Sequence, residues 1–366
     1  MKKYSLLLFF SVLALSLVLS GCGVLINPSS WPGITAYDDT VFVAYEDHVY
    51  ALQVNNGIER WRFPEEADSN ISFYAAPVLT EDGQLLVGSY SGSANNGNNL
   101  YSLDPVRGNE NWHFDGASNR YISSPLSSAD GIFAPNADNI LYKLNADGVP
   151  FSNWSFQADE PLWSQPVLEG NRLYLSSMDH HLYALDASTG DILWISQDLG
   201  SAIASPPIVG ANGNLYVGTF GSQVIAINSA AGNVIWETVV DDWVWSSPAE
   251  LNGKLYVGDQ SGTFLILDSS SGDELWRMKA DGAILGSPLI IGEKIYFASE
   301  AGSVYLVEPE GENDWDYEVI KHIEGRLLGP PVAAGDLILI GVVEADDIVV
   351  AINQEGDQEW AFTPDK

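Results

Sequence analysis

Beyond the first thirty residues the chain alternates short apolar, β-prone runs with turn residues, and the alternation itself repeats. Residues 166–195 hold one full cycle: Pro166-Val-Leu, the turn Glu169-Gly-Asn, Arg172-Leu-Tyr-Leu-Ser, the turn Met178-Asp-His, His181-Leu-Tyr-Ala-Leu, the turn Ser188-Thr-Gly, and Ile192-Leu-Trp-Ile. Short runs bounded by turn formers predict strands, four to a cycle, here lettered A to D. The runs are apolar nearly throughout rather than at every second position. That is the pattern of sheets covered on both faces.

Two landmarks mark the cycle independently. A glycine followed four residues later by tryptophan recurs at Gly57/Trp61, Gly108/Trp112, Gly190/Trp194, Gly232/Trp236, Gly272/Trp276, Gly311/Trp315 and Gly356/Trp360, with Gly148/Trp154 as a copy lengthened by two residues. Most steps between these tryptophans are 39 to 45 residues. A proline opens strand A at Pro77, Pro125, Pro166, Pro207, Pro248, Pro288 and Pro331, with Pro32 as the first member. It stands where its missing N–H breaks no ladder bond. A period of about 40–50 residues built of short strands is the signature of a β-propeller. The expected fold is therefore all-β: an eight-bladed β-propeller of four-stranded antiparallel blades. Trp61, Trp112, Trp154, Trp194, Trp236, Trp276, Trp315 and Trp360 are read as structural wedges between blades, each with its N–H bonded to the next unit. Ring closure stays open between contiguous blades packed near Trp31 and Phe362 and a terminus that crosses into the other's blade.

The string Ala184, Asp186, Thr189, Gly190, Trp194 fits A-x-D-x-x-T-G-x-x-x-W, and so resembles the tryptophan-docking motif of the quinoprotein (PQQ-type) repeat family. In other copies the acidic position becomes Asn145, Asn228 or Glu308. Enzymes of this family, the quinoprotein dehydrogenases, imply a quinone held beside calcium by a Glu/Asn/Asp set, often with a vicinal cysteine pair. The chain has one cysteine, so that disulfide is impossible, and no nucleophile elbow or phosphate loop is present. No enzyme activity, no cofactor (PQQ included) and no metal are expected. The non-enzymatic branch that the chain resembles is the BamB-type lipoproteins of outer-membrane β-barrel assembly. That resemblance implies a protein partner in the cell envelope, the barrel-forming subunit of the machinery among them.

The amino terminus is of another kind. Lys2 and Lys3 precede an apolar stretch from Tyr4 to Leu19, and Leu19-Ser20-Gly21-Cys22 resembles a lipobox. The expected division is a lipoprotein signal peptide over 1–21, a lipid-anchored tether over 22–30 with Cys22 as the lipidated residue, and a single propeller over 31–366. Gly23 follows Cys22 where an inner-membrane retention signal would place aspartate. The expected location is the cell envelope: the periplasmic face of the outer membrane in a host with two membranes, the extracellular surface otherwise. The formal net charge is −34. Such a surface repels polyanions, so nucleic acid is excluded as a partner, as is attachment to anionic lipid through a basic patch. A monomer is expected.

Candidate binding residues lie in the D–A and B–C loops, which emerge together on one face and vary most. Three residues before each strand-A proline stand Tyr74, Ile122, Trp163, Ala204, Trp245, Leu285 and Leu328, a ring expected at the mouth of the central channel. The segment Asp241-Asp242-Trp243-Val244-Trp245 places two tryptophans outside the repeat beside two carboxylates, which reads as an exposed anchor. Arg326 is a rare cation on this face. The partner-binding candidates are thus Tyr74, Trp163, Asp241, Asp242, Trp243, Trp245 and Arg326. The insertion Ser91–Asn99 reads as a polar loop. The alternatives are a binder of small molecules or carbohydrate at the channel mouth, and a dehydrogenase-like protein without a recognisable active site.

Overall fold

A computed structural model describes residues 31–68, 70–91, 98–311 and 313–365. The leader, Cys22, the tether and the middle of the Ser91–Asn99 insertion lie outside these residues. The strands form eight antiparallel sheets, each drawn from one continuous stretch of chain and ordered A-B-C-D. Blade 1 runs from Gly33–Tyr37 to Glu59–Phe63 and blade 8 from Val332–Ala334 to Gln358–Phe362. Blade 2 carries a fifth strand, Ser72–Phe73, paired with the end of its strand B (Leu85–Tyr90).

Strands B and C are buried almost completely; Leu173, Tyr174, Leu175, Leu182, Ala184 and Leu185 of blade 4 have no exposed surface. Each side chain on one face of a sheet packs into the cluster it shares with one neighbour, and each on the other face into the next cluster. Blades 4 and 5 thus share Tyr174, Leu182, Ala184, Leu215, Val217, Ile225 and Ile227. This two-sided burial is the physical reason the strands read as apolar at successive positions.

The docking motif joins the blades. Trp194 reaches from strand D of blade 4 to blade 5, where its indole N–H donates to the Ser229 carbonyl at 3.0 Å. The ring lies over Gly232, which has φ +74° and whose missing Cβ would sit 2.5 Å from the indole. Glycine is required there twice, for the left-handed turn and for the close approach. The acidic position shapes the same turn: Asp186 Oδ1 accepts the N–H groups of Ser188 (2.9 Å) and Thr189 (3.0 Å). Asn228 does so without charge for Ala230 and Ala231. A bulge between Ala184 and Leu185 sets the register that places the tryptophan.

Six of the eight repeat tryptophans follow this pattern, Trp61, Trp112, Trp154, Trp194, Trp236 and Trp360, each beneath a turn glycine of the next blade and each with its N–H on that blade's carbonyl. Trp360 makes the contact that closes the ring, donating to Val54 of blade 1 at 2.7 Å beneath Gly57. Closure is therefore made by packing between contiguous blades. Among the described residues no strand is exchanged.

Trp276 and Trp315 depart from the docked geometry expected of them. Strands C and D of blade 7 (Ser303–Gly311 and Asp314–His322) continue past the usual turn, pairing Pro309 with Trp315 and Gly311 with Asp314. Gly311 has no positive φ, and Trp276 meets the rings of Trp315 and Tyr317, at 6.3 and 6.0 Å, instead of a turn glycine. Trp315 is buried but packs backward onto blade 6, with Lys254 Nζ 5.7 Å from its ring, and its N–H has no partner among the described residues. Ile320 takes its place under Gly356 of blade 8. Glu308 stands at the acidic position and, among the described residues, caps neither N–H group two or three residues on. Gln53, equally long, stands there in blade 1 and Gly57 still covers Trp360, so the residue type alone does not set the departure.

Candidate functional site

The D–A loops enter each blade in extended form, and their side chains alternate. Phe73, Tyr121, Leu162, Ile203, Val244, Ile284 and Leu327, four residues before each proline, are all buried. The next residues, Tyr74, Ile122, Trp163, Ala204, Trp245, Leu285 and Leu328, are all half-buried. The first set fills the seams between blades; Val244 fits over Gly218, where an added Cβ would stand 2.1 Å from Val244 Cγ1. Because successive side chains of an extended chain point oppositely, burying Val244 turns Trp243 and Trp245 the other way together.

There they meet Phe220, from the B–C turn of blade 5. Its ring stacks on Trp243 at 5.5 Å and 17° and on Trp245 at 4.9 Å and 24°. The loop is fixed to both neighbours through Val244 N to Thr219 O (3.1 Å) and Gln260 N to Trp243 O (2.9 Å). The stack is thus preorganised, yet Trp243 remains 46% exposed. Aromatic rings held open to solvent in this way are what protein interfaces use as anchors.

The two carboxylates beside the stack differ. Asp241 accepts from Thr263 Oγ1 (2.7 Å) and from Arg277 Nη1 (3.2 Å). The Thr263 hydroxyl, with Arg277 behind it, holds Asp241 below the usual carboxylate range in spite of partial desolvation. Among the described residues Asp242 accepts only the Trp243 N–H, at 2.8 Å on Oδ1. Asp241 is committed to the internal network of blade 6, and Asp242 is the carboxylate with an oxygen to offer.

Trp163 stands in the loop that enters blade 4, two blades before the loop of the stack, and that loop is pinned by Leu162 N to Asn136 O (3.3 Å) and Met178 N to Pro161 O (3.2 Å). Its indole N–H is buried without a partner among the described residues. Arg326 lies two blades beyond the stack, between blades 7 and 8, and is paired with Glu300 and with Glu344 (2.8 Å). Tyr74 lies at blade 2, 5.8 Å from Tyr90. The structure therefore brings Trp243, Trp245 and Asp242 together and sets Trp163, Arg326 and Tyr74 apart. Phe220 was not legible as a site residue, since it occupies an ordinary B–C turn and only the blade geometry carries it under the tryptophans. His181 and His180 face different acceptors, Ser196 O (3.0 Å) and Asp198 (3.4 Å). Among the described residues no three His, Cys, Asp or Glu side chains gather as a metal site.

A family model described as outer membrane protein assembly factor BamB matches residues 26–152, 141–243 and 243–361, almost the whole ring. The chain belongs to the BamB family. Over 241 residues it is 26% identical to the outer membrane protein assembly factor BamB of Nitrosomonas eutropha, covering 63% of this chain and 54% of that protein. A second similarity, 32% over 95 residues, is to a polyvinylalcohol dehydrogenase of Sphingopyxis, covering 24% of this chain and 14% of that one. The chain thus spans about half of one of these curated relatives and a seventh of the other. Among solved structures, BamB from Moraxella catarrhalis superposes with a TM-score of 0.69 at 16% identity, covering 87% of this chain and 92% of that one. A europium-containing methanol dehydrogenase gives 0.58 at 15% identity, with 75% and 72% covered. The structural likenesses share a fold across assembly factors and enzymes, and a fold alone does not choose between them.

Proposed function

We propose that the protein is a non-catalytic, lipid-anchored scaffold that binds a protein partner in outer-membrane β-barrel assembly, using the face around Phe220, Trp243 and Trp245. The observation that carries this reading is the exposed Trp243 and half-buried Trp245 stacked on Phe220, in a loop where the repeat requires no tryptophan. Family membership supports the assembly role, and the lipobox-like Leu19–Cys22 supports anchoring through Cys22. On this reading the propeller is a monomer at the periplasmic face of an outer membrane and carries no quinone. A quinone site of the dehydrogenase kind fits this chain poorly, because its one cysteine is Cys22 and the described residues hold no cluster of carboxylates for calcium.

The test is crosslinking of the lipidated protein in its native envelope, followed by capture. Recovery of the barrel-forming subunit is the expected result. Trp243→Ala should cut that recovery at least tenfold while costing under about 1 kcal/mol of stability, since the side chain is half open to solvent. Full recovery with both Trp243 and Trp245 replaced would overturn the surface, and recovery of no assembly component would overturn the role.

A further inference from the structure

One arginine on the binding face stands apart in a chain with 49 acidic residues. The guanidinium of Arg120, in the loop that leads into blade 3, lies 5.4 Å from the ring centroid of Tyr90. Tyr74 packs against the same ring at 5.8 Å. Arg60, Arg62, Arg107, Arg277 and Arg326 are each paired with carboxylates. Among the described residues Arg120 makes no ion pair and no side-chain hydrogen bond, and the hydroxyls of Tyr74 and Tyr90 make none either. Burial, with the Tyr90 phenol beside it, raises the Tyr74 hydroxyl above its usual range, and the charge of Arg120 partly offsets that shift.

The cluster is built, not incidental. Arg120 is held from below by its own backbone: its carbonyl accepts from Ala137 N (3.1 Å) and its N–H donates to Asn119 Oδ1 (2.9 Å). Asn119 is fixed in turn by the fully buried Asn136, whose amide donates to the Asn119 carbonyl at 2.9 Å. The next residue, Tyr121, is sunk in the seam beneath.

We infer that Arg120, Tyr74 and Tyr90 form a clamp for a carboxylate carried next to an apolar or aromatic group. A guanidinium presents a planar fork matched to a carboxylate, the two phenols add donors, and their rings offer a stacking surface. The strongly negative net charge does not forbid this. At physiological salt charges more than about 8 Å away are largely screened, so the local donors decide. The clamp lies several blades from the tryptophan stack and is independent of it.

The test is calorimetric titration of the whole protein with benzoylglycine and with its neutral amide. The carboxylate should bind at least about tenfold more tightly than the amide. Arg120→Gln should erase that difference, Arg120→Lys should restore part of it by keeping charge without the fork, and Tyr74→Phe should weaken binding about threefold. Unchanged thermal unfolding of each variant excludes misfolding. Trp243→Ala should leave the titration unaltered, so failure here and failure of the partner surface are separable. Equal binding of acid and amide, no binding of either, or an Arg120→Gln protein that binds like the parent each overturns the clamp. Two end-blocked tetrapeptides, one with a free C-terminal carboxylate and one with an internal aspartate, then show by their relative affinity which source of carboxylate it takes; binding of neither overturns it as well.

Discussion

Blades 5 and 7 are made of the same four strands, yet they meet their neighbours differently. Blade 5 receives Trp194 beneath Gly232 and sends Trp236 beneath Gly272 of blade 6, each indole N–H bonded to a carbonyl. Blade 7 receives Trp276 against two aromatic rings and sends Ile320 to blade 8, with no indole bond on either side among the described residues. The contrast teaches that the repeat is a set of local turn geometries. The tryptophan follows from the turn, and where the turn fails the tryptophan goes elsewhere.

Glycine substitutions give the widest expected difference. Gly232→Ala sets a Cβ at 2.5 Å from the Trp194 ring and strains a left-handed φ, so it should destabilise by about 2–4 kcal/mol. Gly311→Ala has its nearest neighbour at 3.7 Å and no positive φ, so it should lie within about 0.5 kcal/mol of the parent. Chemical denaturation of the two variants decides this, and equal losses would break the comparison. Indole removal comes next. Trp236→Ala should cost about 3 kcal/mol and Trp276→Ala about half as much, because the latter gives up packing without a hydrogen bond.

The smallest effect is electrostatic. Thr189 N–H holds Asp186, and the hydroxyl and N–H of Ser270 hold Asp268, below the usual carboxylate range. A depressed folded-state pKa contributes stability above the unfolded value and loses it as pH falls through the folded one, so the loss begins below about pH 4. Asn228 performs the same turn with no proton to gain. Replacing Asp186 and Asp268 by asparagine should therefore narrow the difference in melting temperature between pH 7 and pH 3. A difference that stays the same would mean the turn carboxylates carry none of the acid sensitivity.

The blade count and architecture were legible because glycine, tryptophan and proline each answer a requirement repeated in every blade. The exception was not legible in the residue type: Gln53 and Glu308 are equally long at the acidic position, yet blade 1 keeps the docked turn and blade 7 loses it. The spacing from Gly311 to Trp315 imitates the motif in a hairpin that has run past its turn, and spacing alone does not distinguish the two. On the binding face, Trp243 and Trp245 stood out because the repeat does not call for them. Phe220 and the cluster of Arg120 with Tyr74 and Tyr90 did not, because each is assembled from loops that only the closed ring sets side by side.

The contact of Trp360 with Val54 joins residues 306 apart in the chain, whereas Trp194 with Ser229 spans 35. Loop-closure entropy grows only with the logarithm of length, so the long junction costs about 2 kcal/mol more to form than a short one. That is a small thermodynamic difference but a consistent kinetic one. Neighbouring blades can dock as soon as both exist, while the first and last must wait for everything between them. The propeller should assemble as a growing arc that becomes a ring in its final step, with Trp360→Ala lengthening the life of the open arc far more than the same change at Trp194.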